Sequence, residues 1–340
     1  MKVLNELSLA ELEDVVKNLG ESKFRAKQLF EWFHQKLIYD YDQMSNLSQE
    51  FRKRLKILYP TYKLKVVQKL ESQIDETKKY LFKLEDGNVI ESVLMQYKHG
   101  ASVCISTQVG CRMGCKFCAS TIGGLVRNLT AAEMLGQVYE IVNDTANRVS
   151  NIVLMGSGEP FENYENVMKF VELINDVNGQ NIGIRHITIS TCGIVPKIFE
   201  LAEANSGLTL AISLHAATNE KRKRIMPIAA KYPLADIMDA VEVYIAKTNR
   251  RVTFEYGLIL GENDGSEEAM ELCALLKGIN CHVNLIPINN VDEKMYQPSN
   301  NVVKFCNILN KHNIQTTVRR KLGEDIDAAC GQLRQRFINI

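Results

Sequence analysis

The chain has 340 residues, 46% hydrophobic and 24% charged, and its 41 basic against 40 acidic side chains leave a formal net charge of +1. These are ordinary globular values, and net charge alone predicts no nucleic-acid partner. No apolar run is long enough to cross a bilayer, the opening Met-Lys-Val-Leu-Asn-Glu does not read as a signal peptide, and nine cysteines without framework spacing argue against a secreted disulfide fold. A reducing cytoplasm is the expected setting.

Residues 1–60 read as a small helical domain. Ser8-Leu-Ala-Glu11 has capping-box form ahead of Leu12, Val15, Val16 and Leu19, and Gly20 ends that helix. Phe24, Leu29, Phe30 and Phe33 space out a second amphipathic helix, and residues 47–58 a third. From 61 to 98 the pattern turns to strands, with Asp86-Gly87 as a hairpin turn, and this stretch is taken as a linker into the catalytic domain, 99–340.

Beyond Ser102, short apolar strands alternate with helices: 103–106, 152–155, 186–190, 208–213, 252–260 and 283–286. Thr130-Ala-Ala-Glu133 is a second capping box, opening a helix through Ile141. Such alternation predicts an α/β fold with a parallel sheet covered by helices. Six strands are too few for a closed eight-stranded barrel, and ligand sites on parallel barrels lie at the carboxyl ends of strands.

Chemistry concentrates in Cys111-Arg-Met-Gly-Cys115-Lys-Phe-Cys118. The spacing lets one loop aim three soft thiolates at one place, which suits zinc or an iron–sulfur cluster and leaves one coordination position open. A zinc site borrowing a distant fourth ligand remains an alternative. Gly156-Ser-Gly-Glu159-Pro, Ser190-Thr-Cys-Gly193, Ser213-Leu-His215 and Asn284-Leu-Ile-Pro-Ile-Asn289 follow at predicted strand ends, and Gly323-Glu-Asp-Ile-Asp-Ala-Ala-Cys330-Gly-Gln-Leu333 lies near the carboxyl terminus. Basic residues gather in three places: Arg52 to Lys69 around Tyr59 and Tyr62, Lys221 to Arg224, and Arg319 to Lys321 with Arg334 and Arg336. Together they are suited to a phosphate backbone.

The cysteine loop resembles that of the radical S-adenosylmethionine (SAM) superfamily. Over nearly its whole length, the chain resembles the branch of bacterial RNA methyltransferases that act on adenine in 23S rRNA and in tRNA. The resemblance implies a partial six-stranded (β/α)6 radical SAM barrel. It implies a 4Fe-4S cluster on Cys111, Cys115 and Cys118, with SAM on the fourth iron, and SAM contacts from Gly158, Glu159, Ser190, Ser213, Leu214, His215 and Asn289. Cys330 would take a methyl group from one SAM, and a second SAM, cleaved reductively, would turn it into a methylene radical that adds to the adenine ring. Glu91 would accept a proton, and Cys104 would release the RNA by forming a disulfide with Cys330. The assignment of Cys104 and Cys330 among the cysteines, and of Glu91, comes from the resemblance alone.

The resemblance also implies an electron donor such as ferredoxin or flavodoxin, and nothing in the chain calls for more than a monomer. Pro160 after Glu159, and Ser-Thr-Cys-Gly at 190–193, favour methylation of adenine carbon 2 over the carbon-8 chemistry of a related enzyme. A non-catalytic zinc-bearing RNA-binding protein would account for the basic clusters but not for Gly156–Glu159 or the Cys330 segment. Cys192, Cys273, Cys281 and Cys306 read as core.

Overall fold

The computed structural model describes residues 3–98, 100–289 and 295–333. Helices α1 (Leu9–Asn18), α2 (Phe24–His34) and α3 (Gln49–Leu58) come first, close to where periodicity puts them. The capping box of α1 is complete: Ser8 Oγ accepts from the Glu11 amide and the Glu11 carboxylate accepts from the Ser8 amide. Leu29, Phe30, Trp32 and Phe33 of α2 are buried, while Phe24 is exposed.

Strands β1 (Lys65–Glu71), β2 (Lys78–Lys83) and β3 (Val89–Tyr97) form an antiparallel meander that leads into β4 (Gly100–Cys104). Strands β5 (Gln108–Gly110) and β6 (Leu125–Asn128) make a separate two-stranded ribbon. Then come α4 (Ala131–Thr145), opened by the Thr130–Glu133 box, β7 (Val149–Leu154), α5 (Tyr164–Asn175), β8 (Ile187–Thr191), α6 (Val195–Ala204) and β9 (Thr209–Ser213). Helices α7 (Asn219–Ile225) and α8 (Leu234–Thr248), strand β10 (Val252–Leu258), α9 (Ser266–Leu275), β11 (Cys281–Pro287), α10 (Val302–Lys311) and β12 (Thr316–Val318) complete the chain.

The main sheet runs β1-β2-β3-β4-β7-β8-β9-β10-β11-β12, and every neighbouring pair from β4 to β12 is parallel. All six expected parallel strands are present, and the fold is α/β, a parallel sheet with helices between its strands, as the alternation predicted. A seventh, β12, adds an edge that the sequence hid, because Thr316-Thr317-Val318 has no apolar run to read. The meander β1–β3 continues the same sheet at the other edge, so the stretch read as a linker also extends the sheet it leads into.

The amino-terminal helices share one hydrophobic core with the sheet and its covering helices. Asn5 pairs with both the carbonyl and the amide of Tyr62, and Lys169 on α5 reaches Glu11 at 2.6 Å. His34 is fully buried against the Tyr139 hydroxyl at 2.9 Å. Burial, and secondarily the Lys169 charge, lower its pKa to about 3, so the imidazole is neutral in the fold.

Because the unfolded imidazole titrates near 6.5, the unfolded chain binds a proton that the folded one refuses. The resulting stability is whole above pH ~6.5 and falls as pH drops toward 3. Replacing His34 with leucine should remove one proton's worth, about 1.4 kcal/mol per pH unit, from the acid slope of unfolding free energy below pH 6.5. Denaturant titrations at several pH values measure that slope.

Candidate active site

The cysteine loop spans the ribbon. Its base is closed where the Cys111 amide donates to Gly124 O at 3.0 Å. Gly110 has φ +74°, and a Cβ there would lie 2.0 Å from the Gly124 carbonyl oxygen, so only glycine allows this closure. Thr121 Oγ1 ties the carbonyls of Cys115 and Cys118 at 3.2 and 2.9 Å, and the Lys116 amide donates to Ile225 O on α7. Cys111, Cys115 and Cys118 line one cavity, and each of the first two feels the charge of Cys118. Burial raises the Cys111 thiol to about 12 and the Cys115 thiol further. Among the described residues no three Cys, His, Asp or Glu side chains meet closely enough to hold a metal ion. The three thiols frame one cavity and act on one another electrostatically.

The opposite wall is made from strand ends. Gly156 and Gly158 follow β7; Gly158 has φ +106°, and a Cβ would sit 2.5 Å from that of Gln108. Buried Glu159 accepts from the amides of Phe161 at 3.0 Å and Cys192 at 2.8 Å, bridging the ends of β7 and β8. Burial pushes its carboxyl pKa up, and those amides oppose the shift. Ser190 and Ser213 face each other across β8 and β9 with their hydroxyls 3.5 Å apart. His215, at φ +57°, accepts the Gly257 amide at Nδ1, 2.8 Å away. Burial, aided by Arg222 and Arg319, lowers its pKa to about 3, so it is neutral. All six of these residues line the cavity, whereas Leu214 points the other way into the core.

The third wall is the carboxyl-terminal segment. The Ala119 amide donates to Gly331 O at 2.7 Å, Ser120 Oγ to Leu333 O at 2.6 Å, and Asn289 Nδ2 to Cys330 O at 3.1 Å. Cys330 is a free cysteine on the wall of the three-cysteine cavity and also of a second cavity, which Cys104 lines as well. Burial, then the nearby Cys330 sulfur, raises the Cys104 thiol to about 12. Although the residue as a whole is exposed, desolvation of its sulfur among the cavity walls raises the Cys330 thiol as well, with Arg319 opposing.

A family profile described as the radical SAM superfamily matches residues 105–273, and one described as the ribosomal RNA large subunit methyltransferase N-terminal domain matches residues 3–59. A probable dual-specificity RNA methyltransferase RlmN of Clostridium novyi (strain NT) is 54% identical over 99% of both chains. The chain belongs to the RlmN family. A relative of the same description from Caldanaerobacter subterraneus subsp. tengcongensis is also 54% identical, over 98% of both chains. The crystal structure of a radical SAM methyltransferase from Sphaerobacter thermophilus superimposes with a TM-score of 0.94 at 43% identity, covering 98% of this chain and 99% of that one. The enzyme is therefore a radical SAM RNA methyltransferase, and the family implies a 4Fe-4S cluster and SAM.

The residues present fit those groups. Three soft thiols frame one cavity, and Asn289 Oδ1 on its wall is buried with no hydrogen-bond partner among the described residues. Four residues complete this RlmN-family site that sequence reading does not assign to it: it gives Met155 and Glu255 no role, and it places Arg222 and Arg319 in basic surface clusters. Arg222 is fully buried and donates to the carbonyls of Leu214, Cys192, Ser213 and Tyr232 at 2.6–3.4 Å. Arg319 binds Glu255 at 3.2 Å and lies against Met155 Sδ, and these three line the cluster cavity. The signal for Glu255 was a lone acid between Phe254 and Tyr256 in an apolar strand. Cys273 is buried in the main core and Cys281 and Cys306 pack half-buried against it, as the core reading expected, while Cys192, buried in a smaller apolar cluster, also lines the cavity.

Glu91 lines neither cavity. It is buried on β3 in an ion pair with Lys79 at 3.1 Å, one alternation deeper than Val93 on the wall of the second cavity. The basic clusters are also partly spoken for. Arg222 is internal, Lys221 pairs with Glu268 and Glu271, and Arg54 donates to Leu19 O. Lys56 binds Asp42, Lys69 binds Asp144, and Arg319 binds Glu255. Lys53, Lys65, Lys223, Arg224 and Arg320 stay exposed, and Arg334 and Arg336 lie outside the described residues.

Removing Arg222 strands several buried carbonyls, each costing about 1–3 kcal/mol. Arg222→Leu should therefore lower unfolding free energy by about 3 kcal/mol or more, read by denaturant titration. Arg222→Lys, which keeps the charge but not the fork, should fall between.

Proposed function

We propose that the enzyme methylates carbon 2 of adenosine in 23S rRNA and of the adenosine next to the anticodon in tRNA, through Cys330 as methyl carrier. The observation that carries this reading is the position of Cys330 on the walls of both cavities, with the three-cysteine loop on one side and Cys104 on the other. Cys111, Cys115 and Cys118 would hold the cluster. Gly158, Glu159, Ser190, Ser213, His215 and Asn289 surround the space for SAM, with Leu214 contributing through its backbone. When bound, the cluster supplies the electron that cleaves SAM, opening radical chemistry at an adenine carbon that a methyl cation would not attack.

The Cys330 sulfur takes the methyl group and gives up its thiol proton. Its methyl carbon, once stripped of a hydrogen atom, bonds to carbon 2 of adenine. The carbon-2 proton then leaves to Glu91 and one electron leaves with it, for which the cluster on Cys111, Cys115 and Cys118, oxidised when SAM is cleaved, would be the acceptor. The Cys104 thiolate attacks the Cys330 sulfur, the sulfur–carbon bond breaks toward the RNA, and the released carbon takes a proton to become the methyl group. The two thiols end as a disulfide, to be reduced before the next cycle. Arg319 beside both sulfurs favours their thiolate forms. The Glu91 role requires the carboxyl-terminal segment to lift, since that segment covers Lys79. A ferredoxin or flavodoxin as electron donor, a monomer and a cytoplasmic location complete the reading.

Peptide mass spectrometry of cluster-loaded enzyme supplied with SAM should find a methyl group on Cys330. Cys118→Ala should abolish it. An unmodified Cys330 would overturn the carrier assignment, and nuclease digestion of treated RNA should release 2-methyladenosine rather than the 8-methyl isomer.

A further inference from the structure

Strand register places three side chains in one row across the sheet. Lys79 on β2 lies opposite Val93 on β3, and Val93 lies opposite Cys104 on β4. Val93 and Cys104 pack with Ala328 and Leu333 of the carboxyl-terminal segment. Lys79 is completely buried at the end of the same row, and its Nζ donates to Asp327 O at 2.9 Å while pairing with Glu91. The row thus sets an ammonium under Asp327 and a thiol under the stretch that reaches Cys330, three residues later.

Burying an ammonium costs several kcal/mol after relaxation, and a single carboxylate uses only part of its three donors. An apolar pair would fill the same space without that penalty, so stability does not explain the lysine. What the lysine adds is a directed, charge-assisted bond to the backbone of a segment with little regular structure. The contacts at the other end of that turn are more exposed: Asp75 accepts the Gly323 amide at 2.9 Å, and Asp325 accepts from Ser72 Oγ and the Gln73 amide.

We propose that Lys79 is a positioning residue whose buried ammonium docks the Asp327–Cys330 stretch over Cys104. The inference rests on the reading of Cys330 and Cys104 as the paired thiols of the reaction. The bond is to a backbone carbonyl, so it fixes the segment's register whatever side chain Asp327 carries. The same ammonium pairs with Glu91, so docking the segment and partnering the buried carboxylate are served by one group.

The test is the rate of Cys104–Cys330 disulfide formation in full-length, cluster-loaded enzyme. Diamide takes up the two electrons and two protons that the thiols release, samples are alkylated at intervals, and the cross-linked peptide is followed by mass spectrometry. Lys79→Met should slow the disulfide about tenfold or more, as expected for loss of a charged hydrogen bond, and Lys79→Arg should recover much of the rate. SAM affinity, measured by equilibrium dialysis, should not change, because Lys79 lines neither cavity.

Lys79→Met alone leaves Glu91 buried without its counter-charge, so the double variant Lys79→Met, Glu91→Leu is measured beside it; such apolar replacement of a buried pair often preserves stability. Slow oxidation at an unchanged thermal midpoint assigns the loss to docking. Oxidation of either variant at the rate of the unaltered chain overturns the proposal. Failure of the unaltered chain to form this disulfide at all overturns the pairing on which the proposal rests.

Discussion

Seven parallel strands point their carboxyl ends at one rim, and the backbone groups that emerge there need partners in a place largely shielded from water. Two buried charged side chains meet that need. Arg222 takes the carbonyls of Cys192, Ser213 and Leu214, and Glu159 takes the amides of Phe161 and Cys192. Cys192 is thus held from both sides, by its amide and by its carbonyl. The rim stays open as a cavity because side chains of opposite charge, separated by a strand end, satisfy the backbone without filling the space. With the rim fixed, Ser190, Ser213 and His215 are presented by strands that cannot shift independently.

The carboxyl-terminal segment has the opposite character. Apart from one short turn, its described part has no regular structure, and it keeps its place through bonds to distant parts of the chain. The β1–β2 connection holds one end of it, and the cysteine loop, through Ala119 and Ser120, holds the other. Each exposed bond contributes little, and their sum is modest against the cost of ordering the chain. A segment held this way can be displaced as a unit, which suits the carrier role proposed for Cys330.

Charge in this molecule is distributed differently from its distribution along the sequence. The run Lys221-Arg-Lys-Arg224 reads as one basic patch, but helical geometry turns Arg222 inward and Lys221 toward two glutamates on α9. Only Lys223 and Arg224 are left on the surface of that patch. The stretch from Arg52 to Lys69 is thinned in the same way by Asp42, Asp144 and Glu71. What remains exposed is a set of separated cations, and separated cations favour contact with phosphates spread along a backbone over capture of one compact anion.

Local pattern was enough to determine the helices of the amino-terminal region, both capping boxes, the six apolar parallel strands and the placing of three cysteines in one loop. Each of these depends on residues a few positions apart, and near-neighbour spacing is what a sequence records directly. The strand-end positions of Gly158, Ser190, Ser213 and Asn289 followed from the same alternation. Tertiary structure alone decided the edge strand β12, the inward turns of Arg222 and Glu255, and the burial of Glu91 against Lys79. It also decided that Cys104 and Cys330, 226 positions apart in the numbering, share one cavity. These depend on which elements become neighbours in the sheet and on where an irregular segment is docked. Such choices are fixed by register and by the pairing of buried polar groups over the whole fold, and no window along the chain contains them.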